Sequence, residues 1–152
     1  LIQQGLKLIK IHDRPVDFRA LVQKNSKGNW SITSIVGRTA SQQSFVSNVA
    51  RGGKVSPARS ALHASNLPQH LLSSVYLRMK KAALNIANTV EQEIPYHFAE
   101  LGIDLAVDSS GKIWLIEVNS KPSKSDGVAV SRGKIRPSVK KMLLYSRFLS
   151  GL

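Results

Sequence analysis

The chain has 152 residues, 42% of them hydrophobic, which suffices to bury one core and sits near the usual size of a single domain. It holds no cysteine, which excludes disulfides, thiolate metal sites and a cysteine nucleophile, and it carries a net charge of +13. No apolar run approaches the roughly 20 residues of a membrane span, and the first residues lack the order of a leader peptide, so the expectation is a soluble, cytoplasmic protein without a membrane partner.

The opening stretch, "LIQQGLKLIKI", starts on apolar residues with neither capping nor leader composition, as an element cut from something larger would. Residues 16–24 alternate Phe18, Ala20 and Val22 against Asp17, Arg19 and Leu21, and "NWSITSIVGR" repeats strand character after the "NSKGN" turn, which predicts a hairpin. Residues 51–68 are rich in Gly, Ser, Pro and Ala and read as a loop with little regular structure. Ser65 or Asn66 is then placed to cap a helix over residues 69–93, where Leu72, Val75, Met79, Ala82, Ala83, Ile86 and Val90 recur at helical spacing and Pro95 ends the run. "GIDLAV", the "DSSGK" turn and "IWLIEV" predict a second hairpin. A last helix over residues 137–149 puts Val139, Met142, Leu143 and Leu149 on one face, with Lys140, Lys141 and Arg147 outside it. Hairpin, loop, long helix, hairpin and helix give an α+β class, an antiparallel sheet with helices packed on one face.

Charge is unevenly placed. Residues 18–90 carry ten basic and no acidic side chains, whereas residues 91–118 gather six acids, Glu91, Glu93, Glu100, Asp104, Asp108 and Glu117, against Lys112 alone. A cationic chain that collects its carboxylates in one short stretch suits a polyanion held together with a metal, and it also suits nucleic acid.

The stretch "KIWLIEVNSKPS" focuses the question, because Glu117 and Asn119 interrupt a buried-strand pattern where the strand ends. If Asp108 pairs with Ile113 around a four-residue loop, Asp104 falls opposite Glu117, with Asn119 two residues further along the same face. A two-residue loop makes the contact diagonal, and a three-residue loop separates the carboxylates. An all-oxygen trio of this kind suits a hard cation, since Mg²⁺ takes one or two protein carboxylates plus phosphate oxygens and water. Taken alone, the hairpin fits better a solvated Asp104 at a strand start and a Glu117 paired with one of the many lysines or arginines.

"DRPVDFRALV", Arg38, "SNVARGG", "GIDLAVD" and "IWLIEVNSKPS" together resemble the C-terminal half of an ATP-grasp domain of the YheC/YheD, endospore coat-associated type. The resemblance implies that Asp104, Glu117 and Asn119 ligate the magnesium ions that bridge ATP phosphates. It implies that Gln4, Gly5 and Leu6 border the adenine, that Asp17 approaches the ribose or triphosphate, and that Arg19 and Arg38 act as catalytic residues facing the phosphates or an acyl phosphate. Asn48, Arg51, Gly52 and Gly53 match a loop of ligases that add amino acids to a carboxylate. The phosphate-holding lysines and glycine-rich lid of such a fold lie before the matched region, so the expectation is a single domain over residues 1–152 that corresponds to the C-terminal subdomain, with the N-terminal half of the fold absent.

The implied function is the Mg-ATP-binding half of a carboxylate–amine ligase-like protein, cytoplasmic and associated with the spore coat, acting on an unknown carboxylate or amine through an acyl phosphate. The alternative is a basic binding or structural module for an anionic partner, nucleic acid or a spore-surface polymer, with a vestigial site. It predicts a basic stripe with exposed aromatics, and only 6% of the residues are aromatic. His12, His63, His70 and His97 show no ligand spacing and receive no role.

Overall fold

Strand β2 (Arg14–Lys24) organises the molecule, hydrogen-bonding to a neighbour along both edges. A computed structural model describes residues 5–39, 53–123 and 134–151. The other elements are β1 (Lys10–Ile11), β3 (Trp30–Thr39), β4 (Lys54–Pro57), α1 (Ala58–Ala64), α2 (Leu72–Glu93), β5 (Glu100–Val107), β6 (Ile113–Asn119) and α3 (Pro137–Leu149). The strands form one antiparallel sheet in the order β4-β3-β2-β5-β6, with β1 paired to β2. None of the described helices is long and apolar enough to cross a membrane.

Period-two alternation gives β2 two different faces. Val16, Phe18, Ala20 and Val22 point into the core at 0% exposure, while Asp17, Arg19, Leu21 and Gln23 point the other way. Burying each large apolar side chain of this set contributes on the order of 1.5–3 kcal/mol. Helices α1 and α2 cover the apolar face, α2 through Leu72, Val75, Met79, Ala83 and Ala87. The predicted stripe of α2 is therefore found, with Ala82, Ile86 and Val90 at its half-buried margin.

Several expectations are corrected. Residues 54–64 form β4 and α1 rather than a loop, because Ala58, Ala61 and Leu62 recur at i, i+3 and i+4 and are buried. Helix α1 comes very close to β3 at Gly37, where an added Cβ would lie 2.4 Å from that of Ala61. Neither Ser65 nor Asn66 caps α2: the Ser65 amide donates to the Leu62 carbonyl at the end of α1, and Asn66 Oδ1 accepts from the Lys10 amide. A 3₁₀ turn, Gln69–Leu71, leads into α2 instead.

Helix α3 has the predicted bounds but a different inward face. Ser138 and Tyr145 are buried, while Val139, Leu143 and Leu149 are 40%, 59% and 57% exposed. Lys141, expected outside, turns inward and donates to Ser31 Oγ and the Ile32 carbonyl, and desolvation lowers its pKa. Gln23 Nε2 donates to the Ser138 carbonyl, so α3 packs at the far end of the sheet face opposite α1 and α2. The antiparallel sheet with packed helices stands; the helices divide between its two faces.

Candidate functional site

The β5–β6 hairpin positions the carboxylates by an unexpected route. Its tip is a three-residue loop, since the Asp108 amide donates to the Lys112 carbonyl and Val107 registers with Ile113. Continued regularly, that register would place Glu117 on the core face. The ladder shifts between Leu105 and Asp104 instead: Leu105 faces Leu115, Asp104 faces Glu117, and Ile116 is the extra residue of a β-bulge. The bulge turns Glu117 back to the face of Asp104 and sets Asn119 against Gly102 on that same face. The assumed Asp108–Ile113 pair is thus absent, yet the juxtaposition it was meant to explain is present. Asp108 itself anchors the tip. Burial pushes its carboxyl up, but hydrogen bonds from Ser110, Trp114 and the Lys112 and Ser110 amides prevail and bring it down to about 2.

Three strands converge on Asp104. Arg19 on β2 registers with it and donates through Nε to Oδ1 and through Nη2 to Oδ2 at 2.8 Å. Arg38 on β3 registers with Asp17, donates through Nε to Asp17 Oδ1 at 2.6 Å, and reaches across to Asp104 Oδ2 at 2.9 Å through Nη2. Asp104 is 5% exposed and the arginine side chains are 19% and 17% exposed. Burial pushes the Asp104 carboxyl up, but the adjoining Arg19 and Arg38 guanidiniums overcome this and hold it below the usual carboxylate range. Asp17 goes the other way, because burial outweighs its contact with Arg38. Arginines expected to face a ligand are therefore engaged, in this structure, with the protein's own carboxylates.

Beyond β6 the chain turns sharply. Asn119 Oδ1 accepts from the Lys121 amide at 2.9 Å, and buried Pro122 folds over β5 at Gly102, where an added Cβ would stand 2.7 Å from the Pro122 Cβ and 3.4 Å from Arg19 Cδ. Gly102 thus gives the turn carrying Asn119 its seat against the stem of Arg19.

The donor types fit a magnesium ion shared with phosphate. Glu117 is exposed, Asn119 Oδ1 keeps a second lone pair, and Asp104 retains about one of its roughly four acceptor positions. Among the described residues no three His, Cys, Asp or Glu side chains group as a metal site, so a cation here would depend on the Asn119 amide and on oxygens from a ligand.

Leu6 and exposed Gly5 precede a strand-like segment whose Ile9 amide donates to the Val107 carbonyl, while the Ser109 amide donates to the Lys7 carbonyl, so this segment lies along the hairpin tip. An open groove of about 760 Å³ runs there, lined by Leu6, Leu8, Lys10, Pro15, Asn66 and Ser109 among others. Pro15 shares the β2 face of Asp17 and Arg19 by alternation, a relation not anticipated from the sequence. Gly53 immediately precedes β4, whose Val55 registers with Arg38. Gln4, Asn48, Arg51 and Gly52 lie outside the described residues. Sequence reading did not anticipate Gly102 and Pro122; the "KPS" after Asn119 was the available signal.

A sequence model of the YheC/D-like ATP-grasp family matches residues 1–149. Endospore coat-associated protein YheD of Bacillus subtilis (strain 168) is 32% identical over 125 residues, covering 82% of this chain and 27% of that protein. Endospore coat-associated protein YheC of the same organism is 23% identical over 138 residues, covering 86% and 35%. The chain therefore spans about a quarter to a third of the curated relatives it matches. The C-terminal domain of K. lactis Pby1, an ATP-grasp enzyme that interacts with the mRNA decapping enzyme Dcp2, shares the fold at a TM-score of 0.55 and 16% identity, covering 94% of this chain and 44% of that one.

Proposed function

The chain belongs to the YheC/D-like ATP-grasp family, and on that footing we propose that it forms the Mg-ATP-binding half of a carboxylate–amine ligase-like protein of the endospore coat-associated type. In this reading residues 1–152 are the C-terminal subdomain, and a companion half supplies further phosphate contacts and a lid. The working compartment is the cytoplasm, with association to the spore coat.

One observation carries the reading: Asp104 and Glu117 stand directly opposite on one sheet face, with Asn119 beside them and Arg19 and Arg38 converging on the same point. These three oxygen-bearing residues would hold magnesium. When bound, the ion would neutralise phosphate charge. Arg19 and Arg38 would orient and stabilise the transferring phosphoryl group. The groove beside Leu6 and Pro15 would take the adenine, since Pro15 in its lining shares a face of β2 with Arg19, four strand residues and about 13 Å away. Gln4 and Gly5 would border the base, and Asn48, Arg51, Gly52 and Gly53 would belong to the nucleotide-binding surface. In the proposed reaction a substrate carboxylate oxygen would attack the γ-phosphorus with ADP leaving, and an amine would then attack the acyl carbon with phosphate leaving.

Calorimetric titration of the natural gene product with Mg-ATP tests this. Glu117→Ala should weaken binding at least tenfold, about 1.4 kcal/mol. Unchanged affinity in that variant would sink the assignment.

A further inference from the structure

Asp104 already has a cation's worth of partners. Both its oxygens accept from arginines, and Oδ2 accepts from two Nη2 atoms at 2.8 and 2.9 Å. The four side chains Asp17, Arg19, Arg38 and Asp104 carry two negative and two positive charges among them, and Glu117 opposite Asp104 adds one further negative charge. The pairing matters because Asp104 is buried and a buried charge must be matched. A divalent ion that joined this group unaided would sit beside two guanidiniums and leave an excess of positive charge.

A polyphosphate changes the balance. Guanidinium forks pair with phosphate oxygens as well as with carboxylates, so arriving phosphate offers each arginine an equivalent partner. Arg38 bridges two carboxylates, Asp17 through Nε at 2.6 Å and Asp104 through Nη2 at 2.9 Å, so exchanging Asp104 for phosphate leaves it the Asp17 contact as a pivot. Arg19 lies along Gly102, where an added Cβ would meet its Nη1 at 3.3 Å and its Cδ at 3.4 Å.

We propose that Arg19 and Arg38 act as a removable stand-in for the metal on Asp104, so that a divalent cation gains this carboxylate only when a polyphosphate draws the arginines away. Metal and nucleotide then bind together, each raising the affinity for the other, and the protein ignores free magnesium. The inference rests on the nucleotide site proposed above and adds an order of events to it.

Two measurements test it. Electron paramagnetic resonance of Mn²⁺ titrated alone should show weak binding to the unaltered protein, tightened at least tenfold in the double variant Arg19→Gln, Arg38→Gln, while calorimetry shows Mg-ATP binding weakened at least tenfold in that variant. The side-chain ¹⁵Nε–¹H signals of Arg19 and Arg38 in the unaltered protein should stay in place with Mg²⁺ alone and move with Mg-ATP; this needs no variant and therefore no assumption about its folding. Signals that move equally with Mg²⁺ alone, or Mn²⁺ affinity that is the same with and without the arginines, overturn the exchange. If Mg-ATP still binds in a Glu117-dependent way, the proposed function survives that result; if it does not bind at all, the functional reading fails and the exchange with it.

Discussion

The two faces of β2 are written in the same eleven residues and obey different rules. On one face Val16, Phe18, Ala20 and Val22 are interchangeable in kind: each needs only to be apolar and to fit beneath α1 and α2. On the other face Asp17 and Arg19 have meaning only through Arg38 and Asp104, which arrive from β3 and β5. The first face is a property of the strand. The second is a property of the sheet, and neither Asp17 nor Arg19 can be exchanged for a neutral residue without unbalancing the charge of its neighbours.

Substitutions on each face sharpen the contrast. The largest effect is expected from Phe18→Ala, which empties the core beneath Gly37 and should cost about 3–5 kcal/mol, read as a lower denaturant midpoint. Asp104→Asn is expected to cost less, about 2–3 kcal/mol at pH 7, because it leaves two partly buried guanidiniums without their shared carboxylate. Its pH dependence separates it from a packing defect. The Asp104 pKa is lowered in the folded state, so its contribution is complete above the ordinary carboxylate range and is lost as pH falls through the lowered value. The gap between Asp104→Asn and the unaltered protein should accordingly shrink in acid, whereas that of Phe18→Ala should not. Asp17, whose pKa is raised, contributes with the opposite sign: its share is full below the ordinary range and is lost as pH rises through the raised value. The smallest change in stability is expected from Gly102→Ala, about 1 kcal/mol as Pro122 gives way, accompanied by at least a threefold loss of Mg-ATP affinity as the Asn119 turn shifts.

This contrast also explains what could be read in advance. Alternation along β2 and the helical spacing of α2 and α3 are local patterns, and the sequence carries them without help from distant residues. The tight turn from β1 to β2 was not anticipated, because His12 and Asp13 adopt positive φ where such turns usually signal themselves with Gly or Asn. The inward face of α3 was misjudged because Ser138 and Lys141, polar residues, are the ones that find partners on the sheet. At the candidate site, Asp104 meets Glu117 as expected but through a bulge at Ile116 rather than the assumed register, and the arginine contacts span 85 and 66 residues of sequence, which no local pattern encodes. The family resemblance singled out Asp104, Glu117, Asn119, Arg19 and Arg38, and the structure brings them together, but the resemblance did not indicate that the arginines hold Asp104.

The extra residue at Ile116 makes hairpin length and ligand orientation separable. Lengthening the tip by one residue and straightening the strand would reach the same arrangement, just as the shorter tip with its kink does now. Related chains can therefore trade a kinked strand for a longer tip and still present the same oxygens, because the residue gained in one place is lost in the other. The spacing between the two acids is then the quantity such a trade preserves, whereas the length of the tip by itself says nothing about whether they meet.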